Sequence, residues 1–246
     1  MIYTIFPGRF GNNLFQNIGT SIISKKFDLR VVQYANPSIF NVLGVKFHNG
    51  SRILQNLINV SDDGLVFFGR PPEQKYLSLM ELIEMESIDF GVRYEGYFQV
   101  GWFVKKYEKE IREHFELTYN ERNKNDVFVH VRLGDVADRN PGFEYYKKCL
   151  DSINFESGFI STDDIGHPLI KKLCEQYNLQ LYQNDPISTI NFAKDFNNLI
   201  LSEGTFSWWI GFLSKSENIF CPRKVNGERW QGDIFIFDNW KYVDFM

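Results

Sequence analysis

Four short stretches hold the residues able to do chemistry: GRFGNN at 8–13, HVRLGDV at 130–136, STDD at 161–164 and TFSWW at 205–209. HVRLGDV sets an imidazole, a guanidinium and a carboxylate within six residues. If it ends a strand, alternation puts His130 and Arg132 on one face and Val131 on the other. Arg132 then offers a planar fork to phosphate oxygens, and Asp135, just past Gly134, can hold that arginine or accept a proton. The plainer alternative is a surface Arg–Asp pair closing a turn.

The other three stretches suit anions at helix starts. In GRFGNN, glycines let backbone N–H groups around Gly11 and Asn12 approach an anion closely, with Asn13 a further amide. The same glycines also make an ordinary tight turn. The stretch lacks the GxGxxG spacing of a dinucleotide fold and the GK[ST] of a P-loop, and the segment LRVVQY ends without the acid a nicotinamide ribose would need. Thr205 and Ser207 stand at the positive end of a predicted helix, where hydroxyls and N–H groups suit a diphosphate. Trp208 and Trp209 read as core. In STDD, Thr162 and Asp163 read either as ligand contacts or as N-caps, the latter worth ~1 kcal/mol to the helix that follows. There is no D-x-D and no HExxH, so no tightly held metal is expected. Cys149, Cys174 and Cys221 are in no metal or disulfide spacing and read as buried thiols.

The elements that must position these residues follow from periodicity. The first half predicts strands at 2–6, 29–34 and 64–68 and helices at 12–26 and 100–115. After the polar run TYNERNKND (118–126) come the strand VFVHV, a helix near 143–152, a strand at 157–161, a helix at 167–177, a strand at 179–182, and a strand-then-helix unit at 198–214. Alternation of this kind predicts an α/β protein with parallel sheets. The polar run divides it into two Rossmann-like domains, 1–118 and 119–246. In such sheets ligands bind beyond the carboxyl ends of the strands, where all four stretches fall.

Composition narrows the function classes. With 43% hydrophobic and 17% aromatic residues the chain is a folded protein, and a net charge of −4 gives no footprint for nucleic acid. No apolar run is long enough to span a membrane and no leader pattern precedes the first strand, so a cytoplasmic location is expected.

Taken in order, GRFGNNLFQ, HVRLGDV, STDD and TFSWW resemble the motifs of the family-11 glycosyltransferases, the α-1,2-fucosyltransferases, and more remotely the α-1,6- and protein O-fucosyltransferases. Those enzymes show a GxGNQxFQ-like opening, HxRRGD, SDD and SSFSWW in the same order. The resemblance implies a GT-B architecture, two Rossmann-like domains with a cleft between them. The first domain is then the acceptor side, and the second holds the donor, GDP-fucose. It also implies metal-independent, inverting transfer to a glycan hydroxyl, with no cofactor beyond the donor. Arg132 matches the arginine that neutralises the donor's β-phosphate and His130 a donor-contacting histidine. Asp135 matches the Gly-Asp carboxylate, Asp163 and Asp164 the acidic pair, and Thr205 and Ser207 the hydroxyls beside the phosphates. The loop carrying Gly11 and Asn12 matches the one facing the diphosphate.

Three positions depart from the pattern: Leu133 replaces a second arginine, Asn13 replaces a glutamine, and Thr189 stands where relatives carry a base-reading aspartate, with Asp185 and Asp195 nearby. As general base Asp135 comes first, then Asp138 and Glu144, with a diphosphate oxygen as a further acceptor. The competing readings are a glycosyltransferase using another nucleotide sugar and a non-catalytic nucleotide-sugar-binding protein. A Rossmann oxidoreductase is disfavoured by the missing fingerprint.

Overall fold

The computed structural model describes residues 1–6, 8–35, 43–62, 76–122, 124–224 and 234–245. The chain divides into two compact units, Met1–Leu117 and Thr118–Met246. It is an α/β protein, and among the described residues every strand pairing is parallel. Among the described residues no helix is long and apolar enough to cross a membrane.

The first unit contains β1 (Ile2–Thr4), α1 (Phe10–Phe27), β2 (Leu57–Ser61), β3 (Leu77–Ser78), α2 (Leu79–Glu84), β4 (Gly91–Tyr94), α3 (Gly101–Lys106) and α4 (Glu108–Glu113). Its sheet runs β1-β4-β2-β3. Helix α1 buries Leu14, Ile18 and Ile22, and also Asn17, Thr20 and Ser21, so it is enclosed on nearly all sides. It ends where Asp28 takes a left-handed conformation (φ 52°) and returns its N–H to the Ser24 carbonyl.

Two expectations change here. The strand predicted at 29–34 is reduced to isolated bridges at Leu29 and Val31. Its backbone groups are divided among several neighbours: the Ile2 N–H donates to the Arg30 carbonyl (2.8 Å), the Val32 N–H to the Ile2 carbonyl (3.0 Å) and the Arg30 N–H to the Arg52 carbonyl (2.9 Å), while the Val31 N–H donates to Asn49 Oδ1 (2.9 Å) and Ser24 Oγ to the Leu29 carbonyl (2.6 Å). The helix predicted at 100–115 is two, because Tyr107 (φ −109°, ψ 17°) leaves the helical basin between α3 and α4. The strand expected at 64–68 lies outside the described residues.

The second unit contains β5 (Asp126–Val131), a 3-10 turn (Gly134–Arg139), α5 (Phe143–Asp151), β6 (Ser157–Thr162), α6 (Pro168–Tyr177), β7 (Leu179–Leu181), α7 (Pro186–Ala193), β8 (Asn198–Ile200), α8 (Thr205–Leu213), β9 (Asn218–Lys224) and β10 (Lys241–Phe245). The sheet order is β7-β6-β5-β8-β9-β10. Numbered within this unit, that is 3-2-1-4-5-6, the order of a doubly wound Rossmann-like sheet.

All six residues of β5 are buried, as a central parallel strand requires. Val127, Val129 and Val131 pack with Tyr145, Tyr146 and Leu150 of α5 and Ile170 and Leu173 of α6. On the other face Phe128 meets Phe192 of α7 and Phe196 just beyond it. Trp208 and Trp209 are fully buried in α8, and Trp208 stacks on Phe212 and donates its indole N–H to the Ile234 carbonyl (2.7 Å). Both tryptophans are core. Cys149 and Cys221 are buried free thiols, and burial pushes Cys149 up to about 12.

Candidate functional site

The strand order of the second unit reverses between β5 and β8, and the carboxyl ends of these two strands carry HVRLGDV and the loop leading to TFSWW. His130 and Arg132 follow Phe128 on one face of β5, while Val131 packs into the opposite layer. His130 Nδ1 lies 2.5 Å from Ser207 Oγ on α8, and its ring stands edge-on to Phe206. Arg132 Cγ lies 3.9 Å from where a Cβ on Gly204, the N-cap of α8, would stand. Residues 75 or so positions apart in sequence therefore adjoin.

Arg132 is held from two sides, by ion pairs with Asp163 and with Asp135. Asp163 also accepts the Leu133 N–H (2.7 Å), so one carboxylate fixes both the arginine and the loop that bears it. The approach is close enough that Gly134 (φ +44°) is required: a Cβ there would stand 2.6 Å from Asp163 Oδ2. From behind, Asn140 Nδ2 donates to the Arg132 carbonyl (2.8 Å) and to Tyr146 Oη (3.1 Å). The Tyr145 hydroxyl donates to the Leu201 carbonyl (2.7 Å), holding the exit of β8.

Electrostatics separate the two basic groups. His130 is only 4% exposed, and burial first, then the neighbouring Arg132 guanidinium, bring its pKa down from 6.5 to about 3. It is a neutral imidazole at physiological pH. Arg132 stays a cation with 17% of its side chain exposed, between Asp163 (28%) and Asp135 (58%).

Several expected roles change with this geometry. Neither Thr162 nor Asp163 caps the next helix, because α6 begins five residues later with His167 as its N-cap. Asp164 is exposed and closes its own turn by accepting the Gly166 N–H (3.1 Å). Thr205 is the first residue of α8 and is buried, and Ser207, 1% exposed, directs its hydroxyl to His130. Leu133 belongs to the apolar layer under α5 and α6, which accounts for a leucine at that position. It also lines a cavity of about 330 Å³ with Ala137, Phe143, His167, Leu169 and Lys172. Thr189 is buried and back-bonds to the Asp185 carbonyl (2.9 Å). Asp185 caps α7: it accepts the Ser188 hydroxyl (2.5 Å) and the N–H groups of Ser188 and Ile187, and the hydroxyl first, then the N–H groups, hold its carboxyl below the usual range. Asp195 is in a buried ion pair with Lys194 (2.9 Å) and binds Asn120.

Gly11 and Asn12 belong to the first unit and gather at its own β1–α1 turn. Gly8 (φ +97°) is needed there, since a Cβ would stand 2.3 Å from Asn12 Nδ2. Asn12 Oδ1 accepts from Gln99 Nε2 (2.9 Å). Gln16 donates to the carbonyls of Ile5 (3.2 Å) and Gly96 (3.0 Å), tying α1 to the loops after β1 and β4. Asp62 accepts the N–H groups of Tyr97 (2.7 Å) and Phe98 (2.8 Å), which shapes the segment leading to Gln99.

Sequence reasoning missed Gln16, Asp62, Gln99, Asn140 and Tyr145. Gln16 carried a signal as the last residue of GRFGNNLFQ, and Asn140 as the first residue of an Asn-Pro-Gly turn. Among the described residues no group of three or more His, Cys, Asp and Glu side chains could hold a metal ion. No family model, curated protein or solved structure matches the chain.

Proposed function

We propose that the chain is an inverting, metal-independent glycosyltransferase of GT-B type that moves fucose from GDP-fucose to a glycan hydroxyl. The observation that carries the reading is the meeting of HVRLGDV and TFSWW at the point where the strand order reverses, with His130 on Ser207 and Arg132 beside Gly204. That is where open parallel sheets bind nucleotides.

In this reading Arg132 and the N-terminus of α8 stabilise the charge that grows on the departing diphosphate. Metal independence rests on the missing D-x-D together with that arginine. Asp135 is the more exposed partner of Arg132, so an arriving phosphate displaces it rather than Asp163. The displaced carboxylate then accepts the proton of the attacking hydroxyl. The core position of Leu133 favours a second reading, a binding protein of the same fold without turnover, because relatives use an arginine there.

Thermal unfolding with GDP, UDP and TDP tests donor choice: a ligand at 100 times its dissociation constant stabilises by ~2.7 kcal/mol. GDP is expected to protect the fold. Protection by UDP or TDP alone would remove the fucosyl donor from the proposal. Transfer from GDP-fucose is expected to persist in excess EDTA. Loss on chelation with recovery on adding Mn²⁺ would sink the metal-independent mechanism, and binding without transfer or hydrolysis would establish the second reading.

A further inference from the structure

The hydrogen bonds around His130 decide which of its nitrogens carries the proton. Ser207 Oγ accepts the Ser202 N–H (3.2 Å) and lies 2.5 Å from His130 Nδ1. These are the only partners of the Ser207 hydroxyl among the described residues. If Nδ1 carried the proton, Ser207 would accept twice and its own O–H would be left buried without an acceptor. If Ser207 donates to Nδ1, its buried O–H is used. Burial keeps the ring neutral, so it has one proton, and that proton is then on Nε2. Nε2 itself has no partner among the described residues, yet it is not one of the sealed polar atoms without one, so it reaches solvent.

We infer that Ser207 is a positioning residue that holds His130 in the Nε2–H tautomer. A buried, uncharged N–H donor then stands beside Arg132 for an acceptor oxygen of an anionic ligand. Ser207 acts through His130 rather than on the ligand directly. The ligand assignment rests on the donor-site reading proposed above; the tautomer does not.

The first unit supplies an internal reference of opposite sense. His114 Nδ1 lies 2.6 Å from the Glu110 carbonyl, which can only accept, so Nδ1 carries the proton there. Its Nε2 receives the Ser21 hydroxyl (2.9 Å), which in turn accepts the His48 N–H (2.7 Å).

The test is a long-range ¹⁵N–¹H correlation spectrum of the imidazoles in the ligand-free protein at neutral pH. The chain has four histidines, and His130→Gln identifies the signal. The expected result is an Nε2–H pattern for His130 and an Nδ1–H pattern for His114. In Ser207→Ala, His130 should become a mixture of tautomers while His114 is unchanged. GDP in large excess should move the His130 Nε2 signal, and Ser207→Ala should bind GDP about three- to tenfold more weakly, the effect of one neutral hydrogen bond. A proton on His130 Nδ1 in the wild-type protein overturns the inference, and that spectrum decides even if the variant folds poorly. An unchanged His130 pattern in a folded Ser207→Ala does the same. With the tautomer intact, a GDP-insensitive Nε2 signal overturns the donor-site reading instead.

Discussion

At the amino edge of the second unit's sheet the strands are tied together by neutral amides. Asn198, the first residue of β8, donates to the carbonyls of Lys124 (3.0 Å) and Asp126 (3.1 Å) and accepts from Asn218, the first residue of β9 (3.0 Å). Lys241, which begins β10, donates to Asn218 Oδ1, and Asn125 reaches Glu156 ahead of β6 (2.9 Å). The carboxyl edge of the same strands is built differently: a cation between two unequal acids, and a buried imidazole with one nitrogen unpartnered among the described residues. The amide row is bonded largely to backbone and to itself, and with Lys124, Ser152 and Lys241 it lines a cavity of about 260 Å³. The carboxyl edge keeps charge and a donor in reserve. The two edges thus differ in chemistry, asparagine amides with a lysine and a glutamate on one and an arginine, two aspartates and an imidazole on the other.

Variants at the two edges should break this contrast or sharpen it. The largest effect is expected at Arg132. Removing one well-placed donor to a developing anion costs roughly 3–4 kcal/mol, about a hundred- to thousandfold in turnover. Arg132→Lys should fail nearly as badly as Arg132→Ala, because an ammonium cannot make the bidentate contact and Leu133 offers no substitute charge. Both should melt near the wild type, since the two ion pairs of Arg132 are partly exposed. Near-normal turnover in Arg132→Lys would reduce the residue to a general field, and activity in Arg132→Ala would make HVRLGDV a structural turn.

Asn198→Ala is expected to do the reverse. It leaves two backbone carbonyls and the Asn218 amide without their partner, at a cost of about 2–3 kcal/mol. Turnover per folded molecule should not change. Denaturant unfolding beside a transfer assay reads both quantities. A variant as stable as the wild type would mean that water replaces the amide and the amino edge is not held as described.

How far the sequence foretold these edges depends on how local the determinants are. Strand β5 and the helices on either side of β6 were readable because apolar runs and helical periodicity are properties of a short window. Strands β9 and β10 went unassigned, and Pro222 is the reason for the first: a proline argues against a central strand. Here β8 pairs with β9 only as far as Phe220, so at Pro222 one side of the strand has no neighbour and the missing N–H breaks no ladder bond. At the site, the shared face of His130 and Arg132 followed from alternation. The destination of the Ser207 hydroxyl did not, because its partner lies 77 residues away. The amide row is equally remote from local pattern. Asparagines before strands read as turn residues, while Asn198 bonds a carbonyl 74 positions earlier.

The smallest effect expected is also the one that distinguishes the two edges by pH. His130 has a native pKa of about 3 against 6.5 unfolded, so between these values the unfolded chain holds a proton that the native protein does not. Stability is then complete above about pH 6.5 and declines as the pH falls toward 3. By pH 5 the loss from this group is about 2 kcal/mol. His114, held low by burial in the first unit, adds a decline of the same sign. Carboxylates that are held low, such as Asp151 and Asp185, lose their contribution only at pH values below their unfolded 3.8 or thereabouts, beneath the pH 5 at which the His130 loss is read. The asparagine amides of the amino edge carry no titratable proton. Denaturant unfolding of the wild type, His130→Gln and Asn198→Ala between pH 5 and 7.5 resolves the terms. Asn198→Ala should lie below the wild type by a constant amount. His130→Gln should show a shallower pH slope whatever its absolute stability, with the residual slope shared by His114 and the Met1 amine, whose pKa burial lowers from 8.0. Equal slopes in His130→Gln and the wild type would mean that the imidazole is hydrated enough to protonate in the native state. The neutral donor beside Arg132 would then be lost from the carboxyl edge.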